Sequence, residues 1–293
     1  MMTNASHLSV IDRIAFFGRR SILAAALVLS TSFNVMAAQK EIGSCYDALK
    51  LPDGVNRPEL ERELYVVIDQ TVQFDKGLQE QAFQKIMKFL KPGDRLVIVS
   101  FSAYVADRYT DVVFDGVIDA RLSDEQRYDI SKKVLRVLDQ CYQVQEVGVR
   151  QEAGKALVNI FGSASSDLPN TELIGNLSLL GKDVMRTGST DHQYVLLVSD
   201  MLEHSAITTF YSRGKLRKIK PESEVDKVVK ADIISDFSGA GVYVMGAGFS
   251  LKGAYRAATE MKAIEAFWRS YFEHSNAKLI EFGSPALIGE IGR

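Results

Sequence analysis

Leu64-Tyr-Val-Val-Ile-Asp-Gln-Thr-Val-Gln73 is the stretch whose reading decides the fold. Its first five residues are apolar and rich in β-branched side chains, with charged residues before them and a polar run after. That pattern reads as a short strand buried on both faces of a parallel sheet. Such a strand is central, and its carboxyl end delivers Asp69, Thr71 and Gln73 into a loop. Open α/β sheets bind ligands at that edge, so a site is expected to begin there.

Working outward, residues 79–90 carry Phe83, Ile86, Met87 and Leu90 at helical spacing, and Lys91-Pro-Gly-Asp94 ends the helix. Residues 95–101 read as a second buried strand. Residues 109–114 read as a third, with less apolar flanks that suit an edge. Ser123-Asp-Glu-Gln126 has the form of a capping box and predicts a long helix from that point, with Ile130, Val134, Leu135, Val137 and Leu138 on its apolar face. Helical character continues over 147–161. A polar loop follows at 162–170, a helix at 171–184, and a buried strand at 194–199 that ends at Asp200. Residues 205–222 form a basic insertion. A helix at 222–237, a strand at 241–246, an amphipathic helix at 254–274 and a strand at 278–282 complete the chain. Six strands, separated mostly by helices and with one short strand-to-strand connection, predict one doubly wound α/β domain. Its sheet is Rossmann-like and mostly parallel, with helices on both faces and one antiparallel edge strand. The domain is expected over 61–285, after a lead-in at 39–60 and before a tail at 286–293.

The chain has 293 residues, 46% hydrophobic and 25% charged, enough for a substantial core. A formal charge of -2 offers no whole-protein attraction to nucleic acid or to an anionic membrane. The N-terminus has basic residues Arg13, Arg19 and Arg20, an apolar stretch from Ser21, and small residues up to Ala38. These are the three regions of a signal peptide, here residues 1–38, so a periplasmic or otherwise exported protein is expected. Three arginines and one aspartate precede residue 38, so cleavage leaves a net charge of about -4. An uncleaved membrane anchor is the competing reading. Against it, the stretch falls short of the ~20 apolar residues a span needs. Arg19-Arg20 is the pair that twin-arginine signals carry, without the rest of their pattern. Cys45 and Cys141, both beyond the cleavage site, are expected to form one disulfide in an oxidising compartment. Ile42-Gly-Ser-Cys45 has the look of a lipid-attachment box, but Lys40 and Glu41 separate it from the apolar stretch.

The chain resembles the von Willebrand factor A (vWA) family. The residues that carry the resemblance are Val67-Ile68-Asp69-Gln70-Thr71-Val72-Gln73, Asn170-Thr171, Val198-Ser199-Asp200, and the strand patterns at 93–101 and 242–248. The family's first strand ends in Asp, any residue, Ser, any residue, Ser; Thr71 and Gln73 stand where the two serines would be. The resemblance implies a degenerate metal-ion-dependent adhesion site. In that family the site holds a divalent cation that takes a carboxylate from a protein partner. It implies Asp69, Thr71, Thr171 and Asp200 as ligands of Mg²⁺ or another divalent cation, and a partner in the cell envelope. Read by chemistry alone, these residues offer two charges and two hydroxyls to a hard cation; equally, the aspartates could cap helices or satisfy loop amides. Gln73 and the insertion residues Arg213, Lys215 and Arg217 are candidates for binding an acidic partner.

A catalytic reading is weaker, and no catalytic residue is assigned. Asp200 and His204 stand four apart, which on a helix would put them on one face, and they or a bound metal would serve a periplasmic hydrolase. The chain lacks a Gly-x-Ser-x-Gly elbow and a glycine-rich phosphate loop.

Overall fold

The computed structural model describes residues 42–47, 49, 51–101, 110–165, 172–249 and 256–292. The proposed signal peptide and Thr171 lie outside them. Six strands form one sheet: β1 (Arg62–Asp69), β2 (Asp94–Phe101), β3 (Thr110–Val117), β4 (Gln193–Val198), β7 (Gly241–Met245) and β8 (Lys278–Phe282). Their spatial order is β3-β2-β1-β4-β7-β8. Every neighbouring pair is parallel except β2 with β3. The sheet is doubly wound and mostly parallel with one antiparallel edge strand, and β1 lies at its centre.

Burial follows the period of two that a strand imposes. Tyr65 and Val67 of β1 join Val97, Val99, Val195, Leu197, Val242 and Val244 on one face. There they meet α4 (Leu173–Leu179), α5 (Pro221–Lys230) and α6 (Ala258–His274). Leu64, Val66 and Ile68 face the other way, against α1 (Lys76–Phe89) and the second half of α3 (Lys132–Ser163). β1 is thus covered on both sides, which is why its sequence is continuously apolar. Residues 286–292, read as a tail, also pack on the second face. Leu287 and Ile291 are buried there, and the Gly292 N–H donates to the Tyr243 hydroxyl at 3.1 Å.

Several expected boundaries move. The Ser123 capping box forms, with both reciprocal hydrogen bonds. It caps only the five-residue α2 (Asp124–Tyr128), however, and the 32-residue α3 starts afresh behind a second cap at Ser131. Ile130, between the two helices, is buried in a small cluster with Cys45, Tyr46, Leu122, Leu138 and Tyr142, so the break serves packing. Val137, expected on the apolar face, is instead 44% exposed. The helix expected at 222–237 ends at Lys230, just before Asp232 adopts a left-handed φ of 53°. Finally, α6 begins at Ala258 rather than 254.

The basic insertion makes a two-stranded hairpin, β5 (Tyr211–Ser212) with β6 (Lys215–Leu216), turning at Arg213-Gly214. Cys45 and Cys141 are disulfide-bonded, with Cα atoms 5.7 Å apart. The bridge fastens the lead-in to α3 beside buried Asp119, which accepts hydrogen bonds from Cys45 N (2.7 Å), Ser44 Oγ and Gln145 Nε2. Among the described residues no helix is long and apolar enough to cross a membrane.

Candidate functional site

Three parallel strands end side by side at the carboxyl edge of the sheet. β1 ends at Asp69, β4 is followed by Ser199 and Asp200, and β7 by Gly246-Ala-Gly248. Backbone bonds lock the ends of β4 and β7 together: Ser199 N donates to Met245 O at 3.0 Å, and Gly248 N to Asp200 O at 2.9 Å. Gly246, at a φ of 97°, has no room for a side chain, since a Cβ there would lie 2.5 Å from the Phe74 ring. Below the edge, the Trp268 indole N–H donates to Met201 O at 3.0 Å. It thereby ties the Asp200 turn, where Met201 takes a φ of 59°, to the aromatic core of α6.

Asp69 is fully buried. Its Oδ1 accepts from the Thr71 amide (2.9 Å) and the Thr71 hydroxyl (2.6 Å), and its Oδ2 from the Ser199 hydroxyl (2.9 Å). Burial pushes the Asp69 carboxyl up to about 6 despite those donors. The Asp200 carboxyl, half-buried, accepts only the Leu202 amide, at 3.0 Å on Oδ1, among the described residues. Burial, and then the charge of Asp69, push it up to about 8, against the Leu202 amide and the positive charge of Arg256. The charge of Asp69 thus disfavours ionisation of Asp200 beside it.

Asp69, Thr71 and Asp200 thus meet, as their positions at strand ends require. The side chain of Gln73 turns away: its Nε2 donates to Ala164 O at 2.9 Å and pins the β1 loop to the end of α3. Residues 200–204 are not helical, so the four-residue spacing does not align Asp200 with His204. The His204 ring instead stacks on Tyr211, with centroids 5.6 Å apart. Arg217 is committed within the insertion, donating to Thr209 O (2.7 Å) and pairing with Glu224 (2.9 Å). Burial works against the Glu224 carboxylate, but Lys227, Thr208 and Arg217 together hold it down at about 2. Arg213 and Lys215, at the hairpin tip, are exposed.

Three contributors are not singled out by the sequence. Ser199 lies within a quoted strand-end motif, and its hydroxyl both donates to Asp69 and accepts from Met201 N at 3.0 Å. Arg256 enters from the segment before α6 and has no local signature. Buried Glu203 accepts from the Ile174 amide at 3.1 Å and holds the start of α4, the helix that follows Thr171.

No protein-family model and no curated protein matches the sequence. Among solved structures, the chain is similar to proximal thread matrix protein 1 from the mussel byssus at 14% identity and a TM-score of 0.34, over 70% of this chain and 41% of that one. It is similar to an aerotolerance-related membrane protein from Bacteroides fragilis at 13% identity and a TM-score of 0.32, over 77% of this chain and 92% of that one. It is also similar to BatB from Bacteroides thetaiotaomicron at 12% identity and a TM-score of 0.30, over 71% and 87%. The chain spans less than half of the mussel protein. Likenesses of this size say nothing about ligand or partner. The chain's own strand order and antiparallel edge strand define a doubly wound, mostly parallel α/β fold.

Proposed function

We propose that this chain is an exported, noncatalytic binding module that takes a protein partner at the carboxyl edge of its sheet, through a divalent cation held by Asp69, Thr71 and Asp200, with Thr171 as a further ligand. The observation that carries the reading is that the carboxyl groups of Asp69, fully buried, and Asp200, half-buried, follow the ends of adjacent strands and form no ion pair with any described residue. The donor set fits a hard cation: two carboxylates and the hydroxyls of Thr71 and Ser199, all oxygen. When bound, such an ion would relieve the carboxylate repulsion and offer an open position to an acidic group. The residues themselves do the positioning, since Thr71 and Ser199 orient Asp69 while the Leu202 amide and the Gly248 turn orient Asp200. Arg213 and Lys215, exposed on the hairpin that follows the same edge, would attract an acidic partner, more weakly as salt rises.

Calorimetric titration with Mg²⁺, Mn²⁺ and Ca²⁺ tests the cation. Binding is expected in the native protein and its loss in Asp69→Asn, which keeps the shape but removes the charge. If millimolar metal produces neither heat nor a rise in melting temperature, the edge is not a cation site. The hairpin then becomes the better candidate for partner binding. Crosslinking from the cell envelope, comparing native protein with Arg213→Glu/Lys215→Glu, tests the partner surface. Recovery that is indifferent to the reversal would remove the hairpin from it.

A further inference from the structure

α3 carries two apolar faces where a surface helix carries one. Its inward face, with Val149, Ala153 and Leu157, is buried against the sheet. On the other side Val137, Val144 and Val158 recur in multiples of seven, with Val147 three beyond Val144. In that sequence order of 137, 144, 147 and 158 they are 44, 68, 54 and 66% exposed. Such spacing lays the four along one stripe of the helix, the kind of seam that pairs one helix with another. Two glycines dent the same surface. Gly154 makes room for the Phe83 ring of α1, 3.4 Å from where a Cβ would stand, and a hollow of about 690 Å³ opens beside Phe83, Met87 and Val158. Gly148 likewise admits Ile42 at 3.4 Å, next to a hollow of about 280 Å³ at Val144. Ridges and hollows therefore occur side by side on one exposed surface.

We propose that the outer stripe of α3 is a self-association surface, on which a second copy of this chain packs its own α3 antiparallel about a two-fold axis. The stripe is symmetric about the middle of the helix. α3 runs from Lys132 to Ser163, so its centre falls between Val147 and Gly148, and Val137 and Val158 are equally far from it. In an antiparallel pair centred there, Val147 of each copy seats on Gly148 of the other, and Val137 enters the hollow beside Val158 and Phe83. The two-fold makes every such contact twice. Charge selects the same direction. Lys155 of one copy comes opposite Asp139 of the other, joining the Lys155–Glu152 and Asp139–Arg127 pairs across the seam. Exposed Lys133 and Arg136 approach exposed Glu80 of the other copy's α1, which lies one turn before Phe83. A parallel pair would instead set Lys133, Arg136 and Lys155 each against its own like charge. From 137 to 158 the stripe spans about 32 Å at a helical rise of roughly 1.5 Å per residue. With the flank of α1 it offers on the order of 600 Å² per copy, the low end for a specific interface, which suits a reversible dimer. α3 ends at the β1 loop, where Ser165 N donates to Gln70 O at 2.8 Å. The two-fold therefore points the carboxyl edges of the two copies in opposite directions and leaves both free, whether or not those edges hold a cation.

Sedimentation of the purified protein tests the pairing, with monomer expected to pass to dimer over the micromolar range. Val147→Arg should weaken association at least about tenfold, because it sets two like charges together at the axis. Its melting temperature should stay native, since Val147 is exposed. Val229→Arg changes a 43% exposed valine on α5, against the other face of the sheet, and should associate as the native protein does. Direction is read with a short bifunctional maleimide, the native cysteines being held in their disulfide. Val147→Cys should cross-link to itself, whereas Val137→Cys should cross-link to Val158→Cys in a mixture and not to itself. A protein that stays monomeric at every concentration would overturn the proposal, and so would a dimer that survives Val147→Arg. Self-cross-linking of Val137→Cys would overturn the antiparallel pairing. A monomer whose cross-links to another envelope protein vanish in Val147→Arg would give the stripe to that protein and remove it from the second copy.

Discussion

Replacing Cys45 and Cys141 together by serine is expected to lower the unfolding free energy by about 4 kcal/mol. The bridge joins residues 96 positions apart. In the chain-entropy account a loop of that length costs the unfolded chain ~4 to 5 kcal/mol of freedom, a constraint the double variant lacks. The folded state should change little, because the lead-in has other anchors. Asp119 still accepts from Cys45 N and Ser44 Oγ, the Tyr46 hydroxyl still donates to Ala120 O at 2.5 Å, and Gln145 Nε2 still reaches Gly43 O at 3.2 Å. The loss thus belongs mainly to the unfolded ensemble, and the measurement is the urea midpoint of the oxidised protein against the variant. A fall of more than about 1 M is expected for ordinary urea sensitivities. An unchanged midpoint, or two titratable thiols in unreduced native protein, would defeat this account.

What could be read from the sequence and what could not divide along physical lines. A strand covered on both faces must be apolar throughout, so β1 and β4 announce themselves, and their ends place Asp69 and Asp200 without any further knowledge. Right-handed crossovers then bring strand ends from distant positions to one edge. Boundaries set by tertiary packing are less legible. The Ser123 capping box satisfies the same amides whether five or forty helical residues follow it, and only the burial of Ile130 beside the disulfide decides that the helix stops. Side-chain destinations are the least legible. Gln73 sits at a ligand position of the resembled motif, yet its amide bonds Ala164 O; Arg217 sits in a basic run, yet pairs with Glu224. Arg256 and Glu203 look in sequence like any charged loop residue. Their meaning comes from what packs around them.

Glu203→Gln is expected to stabilise the protein at alkaline pH and to leave it nearly unchanged in acid. Glu203 is fully buried under the edge, and burial pushes its carboxyl from 4.5 up to about 8, outweighing the Ser205 hydroxyl and the Ile174 and Leu173 amides that favour the charge. Below about pH 4.5 the group is protonated in both folded and unfolded chains and gives no pH dependence. Between there and about 8 the unfolded chain releases its proton while the folded chain keeps it, so stability falls as pH rises through that window. The accumulated loss is roughly 3 kcal/mol after allowance for relaxation around the charge. Glutamine cannot ionise, and its carbonyl can still accept the Ile174 amide that starts α4, so the variant escapes the loss. The difference in denaturant stability between Glu203→Gln and native protein should therefore be small at pH 5 and should grow to a few kcal/mol by pH 8.5. Asp69 and Asp200 titrate in the same range in both proteins and cancel from that difference. A gap that stays constant over the range would mean that Glu203 is already ionised in the folded state. Because Glu203 holds the start of α4, the helix that follows Thr171, its ionisation should also loosen that end of the helix before the rest of the sheet. Hydrogen exchange at the amides of Leu173 and Ile174 should accelerate above pH 8 by more than the intrinsic increase in native protein, and only by the intrinsic increase in Glu203→Gln.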